Sequence, residues 1–152
     1  MTSRTASTSI VVWERGRDWY RRLRKRLPAA RLTSVTLRES LEEHLVEWPG
    51  SSVVVDVPRD ELADRLEAVA ACPAEIVAVV LPRGLERERQ WFYRAGAAWV
   101  QTSLRVNPAM VRLLQRTGPA AAKQRSASWR DEWLERLPWK QHALSQERSQ
   151  RE

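Results

Sequence analysis

The sequence predicts a doubly wound α/β domain on five parallel strands, and three observations predict it. Short apolar runs rich in β-branched residues alternate five times with longer stretches whose apolar residues fall at helical spacing. Two of those runs, SVVVDV and EIVAVVL, are almost continuously apolar, as strands covered on both faces must be. The third observation is size: 152 residues, 43% of them hydrophobic, suffice for one core of this kind.

Ser9 to Glu14 (SIVVWE) reads as the first strand, and Arg17 to Leu27 as a helix with Trp19, Tyr20, Leu23 and Leu27 facing inward. Leu32 to Thr36 is a weaker strand. Leu37, Leu41, Leu45 and Trp48 then form one helical stripe, stopped by Pro49 and Gly50. Ser52 to Val57 is the third strand, followed by a helix that starts near Asp60, turns Leu62, Leu66, Val69 and Ala70 inward and ends before Pro73. Glu75 to Leu81 is the fourth strand and Leu85 to Ala95 the fourth helix, with Gly96 placed as its terminator. Ala98 to Thr102 is the fifth strand. Asn107 caps a last helix that carries Pro108 in its first turn and Met110, Val111 and Leu114 as apolar contacts.

Alternating strands and helices with right-handed crossovers give a flavodoxin-like fold with strand order 2-1-3-4-5. The domain is expected over residues 9–117, after a disordered N-terminus at 1–8. Residues 118–128 have linker composition, residues 129–138 form a short amphipathic helix with Trp129, Trp133 and Leu137 at i, i+4 and i+8, and residues 139–152 read as a disordered tail.

Net charge is +7, and it is local: residues 1–31 hold nine Arg or Lys against two acids, while residues 32–152 hold seventeen of each sign. A single cysteine, Cys72, excludes an internal disulfide framework, and two histidines leave no Cys/His zinc cluster. The N-terminal stretch carries no signal peptide, and no apolar run approaches the roughly 20 residues of a membrane span, so the cytoplasm is expected. The five glycines are all isolated, which leaves no phosphate-cradling loop, and no catalytic constellation is found. The 35 residues after Thr117 are too few for a DNA-binding output domain with its own core.

Two local matches add to the order of elements: VVVDV in the third strand, and RAGAAWV leading into the fifth. With them, the chain resembles the receiver domain of two-component response regulators. The resemblance implies a phosphorylation site of five groups at the carboxyl ends of the strands: two acids for Mg²⁺, an acceptor aspartate, a Ser/Thr and a lysine. Those positions fall on Trp13 and Glu14, Asp56, Leu81 and Ser103, so three of the five groups are lost. What remains implies a degenerate, phosphorylation-independent pseudo-receiver with no metal, no cofactor and no enzymatic activity. Two readings stay open for Asp56, a residual phosphate acceptor or a residue that ends its strand and caps the next turn, and Glu14 is either a retained ligand or a solvated loop residue.

Three features are candidate partner surfaces. In the first helix Arg21, Arg22, Arg24, Lys25 and Arg26 crowd one surface, where like charges repel by a few tenths of a kcal/mol per pair. An acidic protein, a nucleic-acid backbone or an anionic membrane would relieve that repulsion; the alternative is a solvated face partly neutralised by Glu39, Glu42, Glu43 and Glu47 on the next helix. Trp91, Tyr93 and Trp99 fall where the resemblance places a dimerisation or output face, or else pack ordinarily. Trp129, Trp133 and Leu137 dock on a partner or fold back as a clasp. The leading expectation is a protein–protein interaction module in bacterial signal transduction, with a homodimer as one form. The alternative is a nucleic-acid-associated protein using its basic helix.

Overall fold

The computed structural model describes residues 8–116, and residues 1–7 of the expected disordered N-terminus, the expected linker, the helix bearing Trp129, Trp133 and Leu137, and the tail lie outside them. Five strands, β1 (Ser9–Trp13), β2 (Arg31–Val35), β3 (Ser52–Asp56), β4 (Val77–Val80) and β5 (Trp99–Gln101), alternate with helices α1 (Asp18–Arg26), α2 (Arg38–Glu47), α3 (Leu62–Ala71), α4 (Arg89–Arg94) and α5 (Pro108–Gln115). All strand pairs are parallel, in the order β2-β1-β3-β4-β5. The expected sheet is the observed one.

Side chains alternate across each strand and separate two core layers. Ile10, Val12, Val54, Ala78 and Val80 meet Trp19, Leu23 and Leu27 from the α1 side and Met110 and Leu114 of α5. Val11, Trp13, Val53, Val55, Val77 and Val79 meet Leu41 and Leu45 of α2, Ala68 and Val69 of α3, and Phe92 of α4. The helices α1 and α5 therefore cover one face of the sheet, and α2, α3 and α4 the other.

The boundaries follow local chemistry. Asn107 accepts a hydrogen bond from the Ala109 amide at 2.8 Å, with Pro108 in the first turn of α5. Gly96, at φ +108°, stops α4 in a conformation side chains disfavour. Both α3 and α4 are preceded by a 3-10 turn, Arg59–Glu61 and Glu86–Glu88. One stripe residue departs from expectation: Leu37 stands at the N-cap of α2 in extended backbone and is 59% exposed, so only Leu41 and Leu45 of that stripe are buried. The stripe's last member, Trp48, is half-buried with the Arg31 guanidinium 3.1 Å from its ring centre.

Candidate functional site

The carboxyl ends of β1 and β3 converge with the N-terminal part of α3, and the side chains there belong to one network. Trp13, the last residue of β1, is buried and donates its indole N–H to the Thr36 carbonyl at 3.3 Å. The Arg65 guanidinium of α3 lies 3.4 Å from the Trp13 ring centre. Arg65 is itself only 2% exposed; its Nη2 and Nε meet Glu61 Oε2 at 3.0 and 3.2 Å, while Nη1 is buried with no hydrogen-bond partner. Glu61 also accepts from Arg15 at 2.9 Å, and Arg15 reaches Asp60 at the same distance. The Arg15 guanidinium holds both carboxyls below their ordinary range.

Glu14 is neither solvated nor available to a metal. It is 1% exposed, and its two oxygens accept from the Trp19 amide at 2.9 Å and the Tyr20 amide at 3.0 Å. Those are first-turn amides of α1, which an N-cap side chain would otherwise satisfy. The N-cap residue, Arg17, makes no such bond. Glu14 takes over that role from outside the helix.

Asp56 ends β3 half-buried, and burial raises its pKa, with the Glu14 carboxylate adding to the rise and Arg65 opposing it. Leu81 is buried, and its amide donates to the Gln101 carbonyl at 2.8 Å. Ser103 is exposed and turns inward on its own loop, its hydroxyl accepting from the Arg105 amide at 3.1 Å. Gln101 orders that loop through two 2.8 Å bonds from Nε2 to the carbonyls of Ser103 and Arg105, and accepts from the Trp99 indole at 2.9 Å.

These residues do not fit Mg²⁺. An octahedral site needs several free oxygens, yet Trp13 offers none, both Glu14 oxygens are engaged by amides, and a guanidinium presses against the indole beside them. Among the described residues no group of three or more His, Cys, Asp or Glu is placed to hold a metal ion.

The remaining candidates lie on the outer surfaces. Arg21, Arg24, Lys25 and Arg26 are exposed. Arg22 is not part of that free surface: half-buried, it donates to the Leu104 carbonyl and lies over Trp19 at 5.3 Å. The acids of α2 do not neutralise the basic helix, because α1 and α2 pack on opposite faces of the sheet. Trp91 and Tyr93 are 48% and 46% exposed. The Tyr93 hydroxyl accepts from the Val100 amide at 3.1 Å and donates to its carbonyl at 3.4 Å, covering the edge of β5. Trp99 packs instead against the α1/α5 layer, so it does not extend a patch with Trp91 of α4.

The architecture matches that of a CheY-like protein, TadZ, from Pseudomonas aeruginosa PAO1, with a TM-score of 0.58 and 16% identity over 79% of this chain and 96% of that one. The chain has a CheY-like receiver fold. No protein-family model and no curated protein matches the sequence. Arg65, Arg15 and Gln101 are the residues around the receiver's usual phosphorylation pocket that sequence reasoning missed. Arg65 left one legible sign, its i,i+4 spacing from Glu61; its stacking on Trp13 depends on tertiary placement.

Proposed function

We propose that the protein is a phosphorylation-independent pseudo-receiver that works as a protein-contact module in bacterial signal transduction. The observation that carries this reading is Arg65 stacked on Trp13. A receiver that switches by phosphorylation needs a hydrated acidic pocket for metal and phosphoryl group; here an indole, a buried guanidinium and a helix-capping glutamate take up that place. With no site for the switch, function falls to surfaces. Those best suited are the exposed bases of α1, Trp91 and Tyr93 on α4, and the segment carrying Trp129, Trp133 and Leu137, whose aromatic anchors would bind a partner or a second copy. A single, buried cysteine, Cys72, suits a cytoplasmic setting.

One observation favours a second reading, a nucleic-acid-associated protein. None of the α1 bases has an acidic partner within ion-pair distance among the described residues, as a phosphate-tracking surface requires. A pull-down with the full chain, run over a salt series with and without nuclease, separates the two. Saturable capture of one protein that survives nuclease supports the contact module. Capture that vanishes with nuclease and falls steeply with salt supports the nucleic-acid reading.

A further inference from the structure

The charges of this domain follow its layers. On one face of the sheet, α1 and α5 together carry six bases and one acid. On the other, α2, α3 and α4 with the 3-10 turns that precede α3 and α4 carry six bases and ten acids, the acidic excess lying on α2 and α3. The pattern is also matched in position. Exposed Arg17, Arg21, Arg24 and Lys25 fall at i, i+4, i+7 and i+8 along α1 and its N-cap, and exposed Glu39, Glu43, Val46 and Glu47 repeat those intervals along α2. Val46 is 83% exposed between Glu43 and Glu47, near the C-terminal end of the acidic stripe. Of the four glutamates on α2, only Glu42 forms an ion pair among the described residues, with Arg38 at 3.3 Å.

We propose that the acidic α2 face is a docking site for the basic α1 face of a second copy of this chain, so that copies associate head to tail. The inference rests on the reading of α1 as a contact surface and names its partner. Each helix repels itself, and pairing the two relieves both repulsions at once while covering Val46. A different acidic protein, or a nucleic acid, would account for α1 and leave the matched stripe on α2 without a role. Because the two surfaces differ, the contact is heterologous, and each added copy presents a fresh face of each kind.

Sedimentation velocity on the full chain tests this. At about 20 mM salt, where screening extends over roughly 20 Å, the mean mass should rise with protein concentration; at about 500 mM it should return to monomer. Two charge reversals, Arg21→Glu with Lys25→Glu on α1 and Glu43→Lys with Glu47→Lys on α2, should each weaken self-association by about ten-fold or more. The α1 variant keeps the native acidic α2 face and the α2 variant keeps the native basic α1 face, so an equimolar mixture should associate again through that one pairing. Glutamine at the same four positions, checked by circular dichroism, serves if a reversal impairs folding. A wild type that stays monomeric at low salt, association unchanged by the α2 reversal, or association lost on nuclease treatment would each overturn the proposal. If the wild type is monomeric while the α1 reversal still abolishes capture of another protein, the contact-module reading stands and the head-to-tail pairing alone is wrong.

Discussion

Arg65 carries both signs of its own energetics. Its unpartnered Nη1 costs about 1–3 kcal/mol, while stacking on Trp13 returns up to about 2 kcal/mol and Glu61 bonds the remaining edge. The near balance suits a group kept for the space it fills and the charge it sets against Asp56. Arg65→Ala empties that space and should lower stability by about 2–4 kcal/mol in urea unfolding at pH 7. Arg65→Lys should recover less than half of this, because an ammonium does not reproduce the planar stack; full recovery would show that charge alone matters. Asp56 supplies a pH test with a definite sign. Its folded-state pKa is raised by burial, so the folded state binds the proton more tightly and the charged form destabilises the domain at neutral pH. Asp56→Asn should therefore raise Tm at pH 7, and the gain should shrink as pH falls through the raised pKa toward the ordinary carboxylate range. At this scale the sequence disclosed identities without partners. Trp13 could be recognised as replacing an acid, but nothing along the chain pairs it with a residue 52 positions on, a contact that exists only once β1 and α3 pack.

The helix α1 shows how one element couples fold and function. Its buried side, Trp19 and Leu23, fixes it to the sheet, while its other side holds bases that repel one another. Glu14 offsets part of that repulsion from outside by binding the amides of Trp19 and Tyr20, where a carboxylate also complements the helix dipole. Glu14→Gln keeps one acceptor and loses the charge, and should cost about 1–2 kcal/mol; Glu14→Ala should cost more and accelerate hydrogen exchange first at Trp19 and Tyr20. Uniform acceleration across the domain would show a global rather than a local role. Elements of this kind were the most legible part of the chain. The runs SVVVDV and EIVAVVL mark strands by composition alone, and Asn107-Pro108 and Gly96 mark helix ends by backbone chemistry that operates locally. Spacing puts Leu37 on the helical stripe although it is the N-cap, because spacing does not tell the last residue before a helix from the first within it.

The described domain is basic over α1 and α5 and acidic over α2 and α3, and the sequence concealed this because α1 and α2, consecutive along the chain, fall on opposite faces of the sheet. Basic α1 and acidic α2 are neighbours along the chain and are separated by the sheet in space. Both core layers are closed by described residues, with Met110 and Leu114 of α5 fully buried. Removing residues 118–152 should therefore leave a domain that unfolds cooperatively at nearly the parent Tm while its binding or self-association changes. A truncated chain that fails to fold would place the removed segment in the core. With Trp13, Arg65 and Glu14 packed at the ends of β1 and β3, the proposed pseudo-receiver should take up neither Mg²⁺ nor a phosphoryl group. Amide chemical shifts of the full chain titrated with Mg²⁺ and beryllofluoride, followed by intact mass after incubation with acetyl phosphate, decide the matter. No saturable shift is expected at Glu14, Asp56, Leu81 or Ser103, and no added phosphoryl group. Saturable shifts centred on Asp56, with stoichiometric phosphorylation that is lost in Asp56→Asn, would contradict the pseudo-receiver reading.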